Sequence, residues 1–436
     1  MKAKLLVAHP LGNMNVREAA RALAEGGLLG EFWTCLNWSL DENQTPAKWL
    51  PARVRAQLAR RSFPAELRGK VRTAATWREV CRHLVNRRNG SALGAWLSRH
   101  ESGPCSVDAV FRAFDRAVAR RVSGNAAASA ELRAVYAYED GAVATFRAAG
   151  ARGWRRLYDL PIGYWRAGQA IFAEEAAREP EWAPTLTGTR DSAEKLARKD
   201  AELAGADAVF VASTFTRETL RQAPALRAPV HVIPYGAPAP VAEELLLRRD
   251  AERKNDAPLR VLFAGSLGQR KGLSYLLEAS ALLGPRGATL TLIGQKTAPD
   301  CAPLERAVQT HRWVPSLPHA AMLAEMSRHD VLVFPSLFEG FGLVILEAMS
   351  RGLPVIATAH TGAPDVFSTD GAEGFLVPVR SAAAIAEKLE LLKNDRARLQ
   401  AMRRAALARA GALRWEDHRR QLRERVAETL GDGAAS

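Results

Sequence analysis

A glycine-rich stretch at residues 265–272 has the residue types of a phosphate-binding turn. It reads Gly-Ser-Leu-Gly-Gln-Arg-Lys-Gly and lies between a predicted strand, Arg260–Ala264, and a predicted helix, Gly272–Leu283. Glycines let the backbone approach a phosphate, and a helix N-terminus offers free N–H groups. Arg270 and Lys271 add two cations, while the spacing matches neither the dinucleotide fingerprint nor a P-loop. The stretch predicts a diphosphate clamp, and the alternative is a glycine-rich turn with solvated cations.

Two glutamates bracket a second glycine-rich turn. The segment from Glu339 to Glu347 reads Glu-Gly-Phe-Gly-Leu-Val-Ile-Leu-Glu; it follows a predicted strand, Val331–Pro335, and runs into a predicted helix, Leu343–Ser350. The glycines leave backbone N–H groups open to an anion, and each carboxylate can accept hydrogen bonds from hydroxyl groups. The alternative is a helix-capping acid followed by a surface glutamate. Together with the first turn, the segment predicts a nucleotide-sugar site.

The stretch from Arg260 to about Asp395 resembles the family 4 retaining glycosyltransferases of GT-B fold. The matching segments are VLFAGSLGQRKG, DVLVFPSLFEGFGLVILEAMSRGLPVIAT and EGFLVPV. The resemblance implies transfer of a sugar from a nucleotide-diphosphate sugar to a glycan or lipid-linked glycan, with retention and without a metal or cofactor. Polysaccharide biosynthesis is the setting that it implies. A non-catalytic nucleotide-sugar-binding protein and a nucleotide-sugar epimerase of the same fold are the alternatives.

The resemblance also implies roles for particular residues. Arg270 and Lys271 would bind the diphosphate, Glu339 a hydroxyl of the donor sugar and Glu347 the ribose; the first three are the catalytic candidates. The other implied donor-binding residues lie in or next to loops that follow strands: Gly12, Gly268, Gln295, Val314, Phe341, Gly342 and Leu343.

The N-terminal half matches the family less closely, as expected of a half that binds a variable acceptor. The acceptor candidates are His9, Glu139 and Asp140, of which the two acids replace a histidine that the family often has. Both acids could equally cap the helix that follows them, and His9 could be a satisfied loop histidine. The family's glycine-proline-glutamate segment appears as Thr361-Gly-Ala-Pro-Asp365.

Alternating predicted strands and helices define the elements that must position these residues. Such alternation predicts an α/β protein of two Rossmann-like halves, each with a parallel sheet. The resemblance implies the GT-B arrangement of these domains, with a cleft between them. The resemblance then implies three divisions: 1–237 for acceptor binding, 238–410 for the nucleotide sugar, and 411–436 for a C-terminal helix that crosses back to the N-terminal domain. Residues 236–258 read as a linker, and residues 45–130 are basic and predicted to be helical.

Positive charge is concentrated at the two ends of the 436-residue chain, whose net charge is +14. Residues 1–180 hold 28 Lys and Arg against 17 Asp and Glu, and residues 396–425 hold ten Arg against three acids. This asymmetry predicts either a face for an anionic partner, such as a membrane surface, or merely a solvated basic surface. Nucleic-acid binding is disfavoured because no zinc-finger, RRM or helix-turn-helix pattern is present.

Composition and cysteine usage exclude several other classes. With 47% hydrophobic and 25% charged residues, the chain is neither disordered nor fibrous. Its four cysteines form no Cys-x-x-Cys pair, and its nine histidines form no His-x-x-x-His pair, so no zinc site is expected. The first apolar stretch, Leu5–Ala8, is too short for a signal peptide, and a cytoplasmic protein is expected.

Overall fold

The computed structural model describes residues 3–37, 63–87, 92–124, 131–246 and 257–431. Within these ranges the chain forms two parallel sheets with helices on their faces, as the alternation of strands and helices predicts. The fold class is therefore confirmed: two Rossmann-like domains lie side by side.

The N-terminal sheet has seven strands in the order β3-β2-β1-β4-β5-β6-β7, and every neighbouring pair is parallel. Its strands β1 to β7 are Lys4–Ala8, Leu29–Thr34, Val71–Thr73, Leu132–Tyr138, Arg155–Leu160, Ala208–Val211 and Val230–Val232. Its helices α1 to α8 are Met14–Glu25, Thr76–Arg87, Ala92–Leu97, Val107–Ser123, Val143–Ala151, Trp165–Arg178, Ala193–Ala204 and Thr214–Thr219. Short 3-10 turns lie at Ala65–Leu67, Pro180–Thr185, Thr187–Thr189 and Leu220–Gln222.

The C-terminal sheet has six parallel strands in the order β10-β9-β8-β11-β12-β13. Strands β8 to β13 are Leu259–Ala264, Ala288–Ile293, Arg312–Val314, Val331–Phe334, Val355–Thr358 and Gly374–Val377. Helices α9 to α16 are Leu273–Leu283, Ala302–Thr310, His319–Met326, Leu343–Met349, Ala363–Val366, Ala382–Asn394, Arg396–Ala412 and Trp415–Leu430, and a 3-10 turn spans Gln269–Lys271. All four residues of β11, and all four of β12, are buried, as expected for strands that are covered on both faces.

The last helix, α16, crosses back to the N-terminal domain and packs on α1. Arg419 holds it there because its guanidinium, only 7% exposed, pairs with Glu18 at 2.6 Å and Glu25 at 3.0 Å. Arg403 of α15 is likewise buried and pairs with Asp330 at 2.6 Å. Part of the positive charge of residues 396–425 is thus neutralised inside the protein.

Side chains of each domain also pack against the hydrophobic residues of the other domain. Trp182, in the 3-10 turn after α6, is buried in the hydrophobic core of the C-terminal domain. Conversely, Phe338 of the C-terminal domain packs among Ala167, Phe172 and Leu186. The domains therefore meet through interdigitated side chains, and the predicted divisions at 237 and 410 remain predictions.

The four predicted elements that flank the glycine-rich turns each lie within one residue of the observed β8, α9, β11 and α12, but the 45–130 region differs. Its described part contains the short edge strand β3 as well as helices α2 to α4, and residues 45–62, 88–91 and 125–130 lie outside the described ranges. Two residues of β3 are exposed, so it has no apolar run that would distinguish it from a loop.

Candidate functional site

The two glycine-rich turns lie side by side because they follow neighbouring strands, β8 and β11. Gly272 ends the first turn in the left-handed region, with a φ of +68°, and a Cβ there would lie 2.1 Å from the carbonyl oxygen of Pro335. Only glycine allows this approach. The backbone of the two turns is joined directly, since the Leu337 N–H donates to the Arg270 carbonyl at 2.9 Å.

This junction brings the three catalytic candidates together. Lys271 Nζ contacts Glu339 Oε2, and Arg270 Nη1 lies 3.4 Å from the same oxygen. Arg270 also donates to the Phe338 carbonyl at 2.9 Å. The carboxylate therefore holds two cations at the carboxyl edge of the sheet, where ligands bind in open α/β sheets.

The electrostatics of this triad favour an additional anion. The side chain of Lys271 is 9% exposed, and burial lowers the pKa of Lys271 well below its ordinary value, with a further lowering by the Arg270 guanidinium. Burial also lowers the pKa of Arg270. One carboxylate, Glu339, stands against these two desolvated cations, so a diphosphate beside them would relieve their mutual repulsion.

The glutamate-bearing turn is fixed by the N-terminal domain. A Cβ at Gly340 would lie 1.9 Å from the Pro161 carbonyl oxygen, so the backbone of the turn touches the loop after β5. The Gly340 carbonyl accepts hydrogen bonds from the Ser213 hydroxyl and, at 3.0 Å, from the Thr216 hydroxyl. Asp365 adds a further link because its carboxylate accepts from the Thr214 N–H at 2.9 Å.

The first turn is also held from across the interface, by a residue that sequence reasoning missed. Glu175 of α6 is fully buried and accepts from Gln269 Nε2 at 2.6 Å and from the Tyr275 hydroxyl at 2.8 Å. Its other oxygen pairs with Arg380 Nε at 2.6 Å. Gln269 directly precedes Arg270, so Glu175 anchors the turn that carries the cations. No local pattern marks it, because its partners are 94 to 205 residues away.

The ribose and base candidates lie on elements next to the two turns. Glu347, on α12, is 2.9 Å from Nε2 of His319, the first residue of α11 and a second residue that sequence reasoning missed. Gln295 follows β9 and donates to the Pro315 carbonyl at 3.0 Å, and Val314 ends the adjacent strand β10. The remaining donor candidates lie in the turns themselves: Gly268 directly precedes the 3-10 turn, Phe341 is buried, Gly342 is the N-cap of α12, and Leu343 is its first residue.

The first-strand loop carries two candidates, His9 and Gly12. His9 Nδ1 accepts from the backbone N–H groups of Leu11 and Gly12, both at 3.0 Å, so the ring braces this loop. Gly12 lies in the left-handed region and approaches the Phe63 ring. The Nδ1 atom of His9 therefore has a structural role in this loop, and the part of His9 in acceptor binding remains a prediction.

Glu139 and Asp140 form a partly buried ionic cluster with Lys199. Lys199 Nζ is 3.4 Å from Glu139 and 3.9 Å from Asp140. Burial raises the pKa of Glu139 to about 7, although Lys199 opposes the shift. The alternative role as helix caps is wrong: Asp115 accepts from two N–H groups in the first turn of α5, and Glu202 accepts from the Asp140 and Ala142 N–H groups.

A third carboxyl group, also missed by sequence reasoning, belongs to the next-to-last residue of the neighbouring strand β5. Asp159 accepts from the Tyr136 hydroxyl at 2.7 Å, and burial raises the pKa of Asp159 to about 7. It lines a small cavity together with Tyr235 and His418. The ring centroids of Tyr235 and Phe341 are 5.2 Å apart, so this cavity lies next to the glycine-rich turn that contains Phe341.

Two other features of the described ranges lie away from these turns. A groove of about 880 Å³ lies at the amino ends of the C-terminal strands, and its Arg312 and Arg328 side chains already pair with Glu325. His100, Glu101 and Asp191 are close enough to share a metal ion, but they lie on the N-terminal domain. No described helix has the length and apolar character needed to cross a bilayer.

Comparison with known proteins locates the resemblance in the C-terminal domain. Residues 247–409 match the model of the family described as "Glycosyl transferases group 1". A glycogen synthase from Mycobacterium tuberculosis is 33% identical over 165 residues, which are 36% of this chain and 40% of that protein. The chain thus spans about two fifths of the length of the curated relatives that it matches.

Solved structures show the same fold over the whole chain. A sucrose-phosphate synthase from Thermosynechococcus elongatus superposes with a TM-score of 0.66 and 18% identity, covering 99% of this chain and all of the other. Anabaena HepE in complex with UDP and glucose superposes with a TM-score of 0.60 and 17% identity, over the same shares of the two chains. Residues 247–409 of this chain are thus similar to the glycosyl transferases group 1 family, and the solved structures share the fold of the chain.

Proposed function

We propose that this chain is a retaining glycosyltransferase that moves a sugar from a nucleotide-diphosphate sugar to a glycan or lipid-linked glycan. The observation that carries the proposal is the meeting of Arg270, Lys271 and Glu339 where the two glycine-rich turns touch. Glycogen synthase and the UDP complex of HepE among the similar proteins support a nucleotide-sugar donor. Polysaccharide biosynthesis is the setting that we propose.

The chemistry follows from where charge develops. Breaking the bond between the sugar C1 and the phosphate oxygen leaves an oxocarbenium-like sugar and an anionic diphosphate. Arg270 and Lys271 stabilise that diphosphate as fixed, desolvated cations, which is the role a metal ion has in other transferases. The acceptor oxygen bonds to C1 on the same face, its proton passes to the leaving phosphate oxygen, and the protein provides no nucleophile.

The binding roles follow the family resemblance. Glu339 accepts from a hydroxyl of the donor sugar, which would compete with its contact to Lys271, and Glu347 accepts from the ribose. Gln295 and Val314 border the base, and the backbone around Phe341 faces the sugar and phosphate. On the opposite domain, the acceptor would lie near His9 and the Glu139–Asp140 pair.

Release of nucleoside diphosphate from UDP-, GDP-, ADP- and dTDP-sugars, followed by mass spectrometry, tests the activity without a known acceptor. We expect one donor to be cleaved by the wild type and by Glu278→Gln, an exposed control on α9, but not by Glu339→Ala. Cleavage should persist in EDTA, and NMR should show the released sugar in the anomeric form of the donor. If no donor is cleaved and no nucleotide raises the Tm, the transferase assignment is wrong.

We also propose that the protein acts at the inner face of the cell membrane as a peripheral, cytoplasmic protein. The excess of 28 bases over 17 acids in residues 1–180 supports an electrostatic contact with anionic lipid. Arg403 and Arg419 contribute little to it, since both are buried in ion pairs. Flotation with liposomes of increasing phosphatidylglycerol content tests this contact, and binding that ignores lipid charge would contradict it.

A further inference from the structure

Five large apolar side chains are exposed on two adjoining helices of the N-terminal domain. Trp77, Val80 and Leu84 recur at helical spacing on one face of α2 and are 63%, 43% and 59% exposed. Leu93 and Trp96, on α3, are 66% and 59% exposed. The two helices pack against each other. We call these five residues the apolar patch.

Such a patch calls for a partner. Soluble proteins expose single apolar residues routinely, but a cluster that includes two tryptophans marks a surface of interaction. Tryptophan is enriched at the boundary between lipid and water because its ring is apolar and its N–H is polar. The helical spacing of the α2 members is the pattern of a helix that lies in the plane of a membrane.

The charge around the apolar patch identifies the partner as an anionic one. Described residues 63–124 hold eleven Lys and Arg against five Asp and Glu. Three of the five carboxylates are buried: Glu79, Asp108 and Asp115. The exposed charge is therefore mostly positive, with Arg68, Arg72, Arg99, Arg116 and Arg120 all exposed.

The apolar patch also borders the acceptor side of the cleft. The first residue of α2, Thr76, donates from its hydroxyl to the carbonyl of Cys35, which directly follows β2. Cys35 in turn donates from its N–H to the Pro10 carbonyl in the His9 loop. A membrane that touched the apolar patch would thus lie next to the loop assigned to the acceptor.

We propose that the apolar patch inserts into the interface of an anionic lipid bilayer and so places the cleft beside a lipid-linked acceptor. This inference deepens the membrane contact proposed above, since it adds an apolar anchor to the electrostatic attraction. Donor cleavage by the same variants reports the donor site separately, so the two proposals can fail independently.

Vesicle binding tests the anchor. We compare the wild type, Trp77→Ser/Trp96→Ser and the control Leu282→Ser, whose side chain is 64% exposed on α9 of the other domain. On vesicles with 30% phosphatidylglycerol, loss of the two tryptophans should weaken binding at least tenfold, because each buries a large apolar surface. Leu282→Ser should bind as the wild type does, and all three should cleave the donor equally.

A second measurement locates the tryptophans. Lipids brominated near the headgroup should quench wild-type fluorescence more than that of Trp77→Phe/Trp96→Phe. Equal quenching, or equal vesicle affinity of Trp77→Ser/Trp96→Ser and the wild type, overturns the proposal. A wild-type dimer that the serine variant dissociates also overturns it, because a second copy would then cover the apolar patch.

Discussion

Neutralising Glu175 should lower the free energy of unfolding far more than neutralising its neighbour Glu174. Both glutamates pair with the same arginine: Glu175 with Arg380 Nε at 2.6 Å and Glu174 with Arg380 Nη1 at 2.7 Å. Glu175 is fully buried, whereas Glu174 is 56% exposed. The two substitutions Glu175→Gln and Glu174→Gln therefore compare one chemical change in two environments.

The magnitudes follow from burial. Removing one member of a buried ion pair costs roughly 3–5 kcal/mol, because the other charge is left desolvated. An exposed pair contributes about 0–1 kcal/mol. Since Arg380 is itself 15% exposed, we expect about 3 kcal/mol for Glu175→Gln and less than about 1 kcal/mol for Glu174→Gln.

The assay pairs urea unfolding with donor cleavage. Because Gln269 donates to Glu175 and directly precedes Arg270, Glu175→Gln should raise the KM for the donor, whereas Glu174→Gln should leave it unchanged. We describe Glu175 as a positioning residue, since it acts through Gln269. Equal free energies of unfolding for the two variants would refute the argument from burial, and an unchanged KM in a folded Glu175→Gln would refute the positioning role.

Three further predictions concern other parts of the site. Lys271→Ala and Arg270→Ala should each lower donor cleavage about 100-fold or more with little change in Tm, and near-normal turnover in both would contradict the diphosphate assignment. Gly340→Ala should abolish donor binding, measured by isothermal calorimetry, because its Cβ would overlap the Pro161 carbonyl; wild-type affinity would show that the turn can move away. Burial lowers the pKa of His418 to about 4, so the unfolded chain binds this proton below about pH 6.5 while the folded chain stays neutral until about pH 4. The free energy of unfolding therefore falls as the pH falls through that window. Between pH 7 and pH 5, urea unfolding should show that His418→Gln loses about 2 kcal/mol less of this free energy than the wild type does. An equal loss in both proteins would contradict a neutral, buried His418.

The fold of the C-terminal domain was largely predictable because its signals are local. Buried apolar runs such as Val331–Phe334 lie next to glycine-containing turns and amphipathic helices. The hydrophobic pattern of a strand can therefore be distinguished from that of a helix in this domain. From the sequence, no helix is predicted over residues 396–412, where α15 lies, because the hydrophobic pattern there is less clear. Arg403 faces inward to Asp330, so the apolar stripe of the helix is interrupted where it is most buried.

The candidate site was predictable only in part, for a related reason. Arg270, Lys271 and Glu339 lie in two short segments whose residue types are unusual together, and the structure places them in contact. The residues that hold these three side chains in place belong to no such pattern. Glu202 illustrates this, since it caps a loop 60 residues earlier in the chain and so belongs to no local motif.

The contacts between the domains indicate that both domains build the proposed donor site. The matched family region covers residues 247–409, yet Glu175 and Thr185 of the other domain hold Gln269, and Ser213 and Thr216 hold the Gly340 carbonyl. Separating the domains would remove these hydrogen bonds together, because they all cross one interface. Donor affinity and domain closure must then be thermodynamically linked, since a ligand that favours the closed arrangement is bound more tightly by it. On the proposed function, Glu175 can therefore affect the affinity for the donor through the domain interface, whereas Arg270 and Lys271 would affect it by direct contact with the diphosphate.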